Sequence, residues 1–217
     1  MRRLLLLLLL FPFLTKAQQR RLFSQVDHAI SVNPFALAQM DYTLLAGYET
    51  KLKDRLFFSS EAGYIFASGY ITTIDNPSQE GSGFMLRPSV KWFQKNSKSF
   101  YLQPQLFYKQ FTHKGYDWIG KNAVNGVPAY EQYQYFRYRR EIFGFNAVAG
   151  FALPVGRQDK WYFDLYFGLG VRYKKSYVVG EPQSIYREPS GTVFLNGIDN
   201  GLFPSLPAGM RVIYAIK

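Results

Sequence analysis

The sequence predicts an all-β chain, an eight-stranded antiparallel up-and-down transmembrane β-barrel behind an N-terminal signal peptide. Three observations predict it. Segments that alternate apolar with polar residues recur along the chain, aromatic residues are abundant at 17 Tyr and 20 Phe, and the gaps between segments interleave short with long. Successive strand side chains point to opposite faces, so sustained alternation marks a strand with two different surroundings. Aromatic side chains suit strands and membrane interfaces better than a helical bundle.

The opening stretch, "MRRLLLLLLLFPFLTKAQQ", has two arginines, an apolar run from Leu4 to Leu14 and a small residue at Ala17. That order reads as a secretory signal cleaved after Ala17, with Thr15 at the minus-three position. The run is well short of the roughly 20 apolar residues a membrane helix needs. Residues 18–26 then read as a linker and 27–217 as the barrel. Removal of Arg2, Arg3 and Lys16 lowers the formal charge from +11 to +8. The chain has no cysteine, which excludes disulfides, thiolate metal sites and cysteine nucleophiles.

Seven alternating segments follow: Gln39 to Leu52, Leu56 to Ala67, Gly83 to Gln94, Ser99 to His113, Gln134 to Leu153, Lys160 to Tyr177 and Pro204 to Lys217. The short gaps are Lys53 to Arg55, Lys95 to Lys98 and Pro154 to Lys160; the long ones are Gly69 to Ser82, Lys114 to Gln134 and Val178 to Phe203. Outer-membrane barrels have short periplasmic turns and long outer loops, so this interleaving is what such a barrel requires. Parity then demands an eighth strand before Gln39. "DHAISVNP" supplies it through Ile30 and Val32, with a tight outer turn near Phe35 to Ala38. Most segments are long enough to cross the hydrocarbon layer at a tilt, and eight strands make a barrel that side chains fill.

The clearest segment, "KWYFDLYFGLGVRYKK", puts Trp161, Phe163, Leu165, Phe167, Leu169, Val171 and Tyr173 on one face. Tyr162, Asp164, Tyr166, Gly168, Gly170, Arg172 and Lys174 take the other. On the remaining strands the apolar face carries such residues as Tyr42, Leu44, Tyr48, Phe58, Tyr64, Leu86, Trp92, Leu102, Leu106, Val212 and Tyr214. The opposite face collects Glu49, Glu61, Arg87, Lys91, Gln103, Gln105, Lys109, Asp164, Arg172 and Arg211. A membrane barrel would turn the first face to lipid and pack the second into its lumen; a soluble β-domain would do the reverse. Aromatics near strand ends, and the glycines Gly47, Gly63, Gly83, Gly168, Gly170 and Gly209 on the charged face, favour the membrane arrangement. The candidate lumen charges are Glu49, Glu61, Arg87, Lys91, Lys109, Asp164, Arg172 and Arg211.

Four stretches, "VNPFAL", "FYLQPQLFYKQF", "DLYFGLGVRYKK" and "PSLPAGMRVIY", resemble a family of uncharacterised secreted proteins of Gram-negative bacteria, a domain of unknown function expected to form small outer-membrane barrels. The resemblance spans the mature chain and implies the cell outer membrane as location, with an OmpA/OmpX-like architecture. It implies no activity and supplies no functional residues. The C-terminus, "YAIK", departs from the terminal aromatic residue common in such barrels, with Tyr214 or Ile216 as the nearest substitutes.

Residues with chemistry are few. His28 and His113 are the only histidines, and they fall on different strands at opposite ends of the topology, which is no zinc site. His113 has no serine close by, and no nucleophile elbow occurs, so acyl chemistry on surrounding lipid is a minor alternative. No cofactor and no metal are expected. The long loops hold three cations and seven anions, a net of −4, which leaves the positive charge divided among turns and lumen. It forms no single stripe for nucleic acid. Loop aromatics Tyr116, Trp118, Tyr130, Tyr133 and Tyr186 are candidates for a binding surface, since loops on a rigid scaffold commonly carry function.

The expectation is a monomeric, non-enzymatic envelope protein with outer-membrane lipid around it and a surface ligand or partner at its loops. Two alternatives stay open: a lipid-modifying barrel enzyme, and a soluble periplasmic barrel that binds an apolar ligand.

Overall fold

A computed structural model describes residues 26–38, 41–68, 80–95, 99–155, 160–186 and 200–216. The expected signal peptide and its cleavage after Ala17 lie outside the described residues, as does Lys217. The strands are β1 (His28–Val32), β2 (Asp41–Lys53), β3 (Leu56–Ser68), β4 (Glu80–Phe93), β5 (Phe100–Lys121), β6 (Tyr130–Val155), β7 (Trp161–Val178), β8 (Gly201–Ser205) and β9 (Ala208–Ile216). Each pairs antiparallel with its sequence neighbour, except that β8 and β9 both lie along β7. β9 then pairs with β1, His28 opposite Ile216 and Val32 opposite Val212. The sheet closes into a ring of eight staves, the last of which is broken in two.

The break follows from proline. Leu206 and Pro207 interrupt a stave that alternation alone would draw as one strand from Pro204, because Pro207 has no N–H for the ladder. Its carbonyl still accepts from the Gly168 N–H at 2.8 Å, so the seam persists through the interruption. The stave also begins earlier than Pro204, at Gly201. The parity strand is real. β1 is joined to β2 through a 3₁₀ turn at Pro34–Ala38, where the Asn33 carboxamide oxygen accepts from the Ala36 N–H at 3.1 Å.

The largest departure from the sequence reading concerns the gap from Lys114 to Gln134. Most of it is strand: β5 runs 22 residues and β6 runs 26, against 13 for β2 and β3 and 14 for β4. β4 pairs with β5 only as far as Glu80 opposite Lys114, and β7 with β6 only as far as Tyr138 opposite Val178. Beyond those points the β5–β6 hairpin continues past the described ends of β4 and β7, with residues 179–186 bonded along β5. It closes on Val124-Asn125-Gly126-Val127, whose end residues exchange backbone hydrogen bonds at 3.0 and 3.1 Å. Asn125 and Gly126 have φ of 52° and 81°, the pair of positive values a two-residue type I′ turn needs and Asn-Gly readily adopts.

Burial alternates along the staves as the sequence predicts. On β7, Trp161, Phe163, Leu165, Phe167, Leu169, Val171 and Tyr173 are exposed, while Tyr162, Asp164, Tyr166 and Lys174 are buried. The core is therefore the barrel interior. At the short-turn end it is aromatic: Phe57, Phe93, Tyr101 and Tyr162 pack with Val26, Ala29 and Ile213. Close packing there and above needs glycine at particular points. A Cβ on Gly209 would meet the Tyr166 hydroxyl at 2.5 Å, and one on Gly47 would meet Ser31 Oγ at 2.6 Å.

Candidate functional site

Strand parity builds the interior charge cluster. Glu49 on β2, Glu61 on β3, Arg87 and Lys91 on β4, Asp164 on β7 and Arg211 on β9 all share the inward phase of their staves, and all are buried. Lys91 Nζ donates to both oxygens of Glu49 at 2.8 and 3.0 Å and to Asp164 Oδ2 at 3.2 Å. Arg211 Nη1 donates to Asp164 Oδ2 at 3.1 Å and to Gln103 Oε1 at 3.3 Å. Its Nε lies 3.2 Å from Glu61 Oε1, which also accepts from Arg87 Nη2 at 3.1 Å. Three carboxylates face three cations. A balanced, hydrogen-bonded set is the form in which charge survives burial, since an unpaired ion there costs several kcal/mol or more.

Tyrosines tie the cluster to the wall. Tyr101 donates to Asp164 Oδ1 at 2.6 Å, Tyr166 accepts from Asn33 Nδ2 at 2.9 Å, and the Arg211 guanidinium lies 4.3 Å from the Tyr166 ring centroid. Above this level, Asp41 accepts from Lys109 and from Arg140 Nη2, the latter at 3.0 Å. Arg172 also points inward and is half-buried. Asp41 and Arg140 were not among the sequence candidates. Asp41 shares the phase of Glu49, which was a usable signal; Arg140 sits in "YRRE", where charges occupy both faces and phase alone is ambiguous.

The long-loop end has a packed apolar cluster of its own. Ile119, Phe136, Tyr138, Val178 and Tyr186 form one apolar cluster. His113 is fully buried beside it, its ring 5.4 Å from Phe136 and 6.0 Å from Tyr186. His28 lies at the other end, with Nδ1 2.7 Å from the Tyr48 hydroxyl. The two histidines do not meet, and among the described residues no group of three His, Cys, Asp or Glu is placed to hold a metal.

The loop aromatics divide. Tyr116, Trp118, Tyr130 and Tyr133 stand on strands rather than in a loop and are exposed; Tyr116, Trp118 and Tyr133 are on the outward face of the β5–β6 hairpin, whereas Tyr130, near its tip, has the opposite phase. Trp118 packs on Tyr133 at 5.6 Å and Tyr116 on Tyr135 at 5.3 Å. Tyr186 is the exception: at 4% exposure it belongs to the interior. The chain after β7 folds back against the hairpin, with Gly120 and Ile185 exchanging backbone hydrogen bonds at 2.9 and 2.8 Å. That turns Tyr186 inward, where it donates to Asp117 Oδ2 at 3.2 Å. Lys121 Nζ and Ser184 Oγ both donate to Glu181 Oε2, at 2.5 and 2.7 Å, and these bonds, the Lys121 one foremost, hold the Glu181 carboxyl below its ordinary pKa.

Outside the barrel the apolar band has definite edges. At one end are Trp92, Trp161 and Tyr214; at the other are Tyr108, Phe143 and Tyr173. From Trp161 to Tyr173 a strand advances about 40 Å at roughly 3.3 Å per residue, and at a tilt of about 45° that projects to about 28 Å.

A scan against protein-family models finds no match for this chain, and searches of curated proteins and of solved structures find none either.

Proposed function

We propose that this chain is an integral outer-membrane β-barrel of a Gram-negative envelope, non-enzymatic, presenting the β5–β6 hairpin and its loops at the cell surface for a structural or binding role. One observation carries the reading: a closed ring whose charges are buried inside and whose outer surface is a continuous apolar band. A water-soluble barrel places its apolar side chains inward. Here Leu44, Leu106, Leu165 and Leu169 are all more than two-fifths exposed while Lys91 and Arg211 are fully enclosed. In water that arrangement would forfeit most of the hydrophobic driving force; in a bilayer it satisfies every backbone group and leaves no open edge. The height of the band, near the roughly 30 Å of a hydrocarbon core, supports the same reading.

The three tryptophans test it by depth. Trp92 and Trp161 mark one edge of the band and Trp118 stands beyond the other. With the barrel refolded into phosphatidylcholine vesicles brominated on the acyl chains, a Trp118→Phe variant should be quenched and a Trp92→Phe/Trp161→Phe variant should not. Protein that stays in the supernatant, unquenched, would sink the proposal and leave a soluble barrel.

A further inference from the structure

Just past the apolar band, the outward face of β5, β6 and β7 changes character. The edge row is Tyr108, Phe143 and Tyr173, paired across the three strands; the next is Gln110, Glu141 and Lys175, then Thr112, Arg139 and Tyr177, then Lys114 and Arg137. Glu141 accepts from the Tyr177 hydroxyl at 3.1 Å. Among the described residues no ion pair involves Arg137, Arg139 or Lys175, and Arg139 Nε is buried with no hydrogen-bond partner. Lys114 flanks the group, between Arg137 on one side and Glu80 on the other. The outward positions at the same end of β2, β3, β4 and β8 are Tyr42, Phe66, Ser82 and Leu202, so the cations belong to one side of the barrel and form no general collar. Above them stands the aromatic face of Tyr116, Trp118, Tyr133 and Tyr135.

We propose that this side of the barrel binds a phosphorylated glycolipid of the surrounding leaflet, with its acyl chains on the apolar band, its phosphate on Arg137, Arg139 and Lys175, and its sugars against the Tyr116–Trp118–Tyr133–Tyr135 face. The order of the three layers argues for one amphiphile rather than a free anion. A guanidinium fork matches phosphate oxygens, and Arg137 and Lys175 are exposed on the outward face beside Arg139. Cations at headgroup level attract anionic lipid additively. Tyr and Trp offer flat apolar faces with a polar edge, which suits the face of a sugar ring with its hydroxyls at the rim. The inference rests on the membrane reading above.

The test uses the whole folded barrel in phosphatidylcholine nanodiscs doped with lipid A, a bis-phosphorylated acylated glucosamine disaccharide, or with phosphatidylglycerol. Lipid retained per barrel after purification is counted by mass spectrometry. Wild type should retain lipid A well above phosphatidylcholine. The Arg137→Gln/Arg139→Gln/Lys175→Gln variant should retain roughly tenfold less or lower still, as the loss of three headgroup-level cations dictates. Trp118→Ala/Tyr133→Ala should reduce lipid A retention and leave phosphatidylglycerol retention unchanged. Equal retention by wild type and the triple variant, or no preference over phosphatidylcholine, would overturn the proposal; displacement by millimolar inorganic phosphate would assign the site to free phosphate instead. Acyl-chain bromine quenching reports insertion separately: a variant that loses lipid A with quenching intact supports the site, and a quenched wild-type barrel with no lipid A preference overturns this site while leaving the membrane reading standing.

Discussion

Asp164 and Arg211 are register partners across the β7–β9 seam, both fully buried, with Arg211 Nη1 3.1 Å from Asp164 Oδ2. The pair spans a seam on the last stave, next to the β1–β9 pairing that completes the ring, and it joins carboxylates and cations contributed by five different staves. Removing one member leaves the others short of a partner inside the barrel. Arg211→Met should destabilise the folded barrel by about 3–5 kcal/mol, the cost typical of stranding a buried charge. Urea unfolding in detergent, followed by tryptophan fluorescence, would measure it. Arg211→Lys, which keeps the charge and loses the fork, should cost less.

The two faces of β7 should respond oppositely to charge. Leu165 lies outward near the middle of the apolar band and Arg172 lies inward. Leu165→Arg should impair assembly by about 2–4 kcal/mol, the range for a cation on the lipid side near midplane. Arg172→Gln should be tolerated better. Equal effects on the yield of folded protein would mean that the inside and outside have been exchanged.

Packing inside a narrow lumen gives a third expectation. A Cβ on Gly209 would meet the Tyr166 hydroxyl at 2.5 Å and Cζ at 2.7 Å, and Tyr166 is held by Asn33 and by the Arg211 guanidinium. Gly209→Ala should therefore cost about 1–3 kcal/mol, as overpacking does, in the same unfolding measurement. Gly126→Ala is a local counterpart. Its φ of 81° is strained for a side chain by roughly 1–2 kcal/mol, and the damage should be confined to faster amide exchange at Val124 and Val127.

Glu181 confers a pH dependence on the packed segment after β7. Its folded-state pKa lies below the ordinary value of 4.5, chiefly through the Lys121 hydrogen bond. A depressed carboxyl pKa contributes stability that is present above the unfolded value and lost as pH falls through the folded one. Protection of the Gly120 and Ile185 amides, with intrinsic exchange divided out, should be constant near neutrality and decline below about pH 4.5. In Glu181→Gln that decline should vanish.

The barrel was legible in the sequence because one periodicity did most of the specifying. Alternation fixed which residues of β2, β3, β4, β7 and β9 point inward, and Glu49, Glu61, Arg87, Lys91, Asp164 and Arg211 lie where that phase puts them. Parity of short and long connections supplied β1, which composition alone would have left in a linker. Features decided by contacts between distant segments leave no such local pattern. Polar composition from Lys114 to Gln134 suggests a loop, yet the hairpin rising past the barrel buries only Ile119 and a few neighbours on one face and leaves its tip and outer face exposed, so little of it needs to be apolar; the Asn125-Gly126 dipeptide was its signature. Tyr186 turns inward only because residues 179–186 fold back on β5, a pairing with no local signal. The proline break at Leu206–Pro207 was readable, but the alternation on either side masks it.

The central claim is that the apolar band faces lipid. Fractionation of cells expressing the protein, with the membrane fraction run unboiled and boiled on a denaturing gel, tests it most directly. The account predicts recovery with the outer membrane and a band that migrates faster unboiled than boiled, because a closed barrel resists detergent until heated. A soluble protein whose migration ignores heating would contradict it, and would require the exposed leucines and aromatics of β7 to be covered by something other than a bilayer.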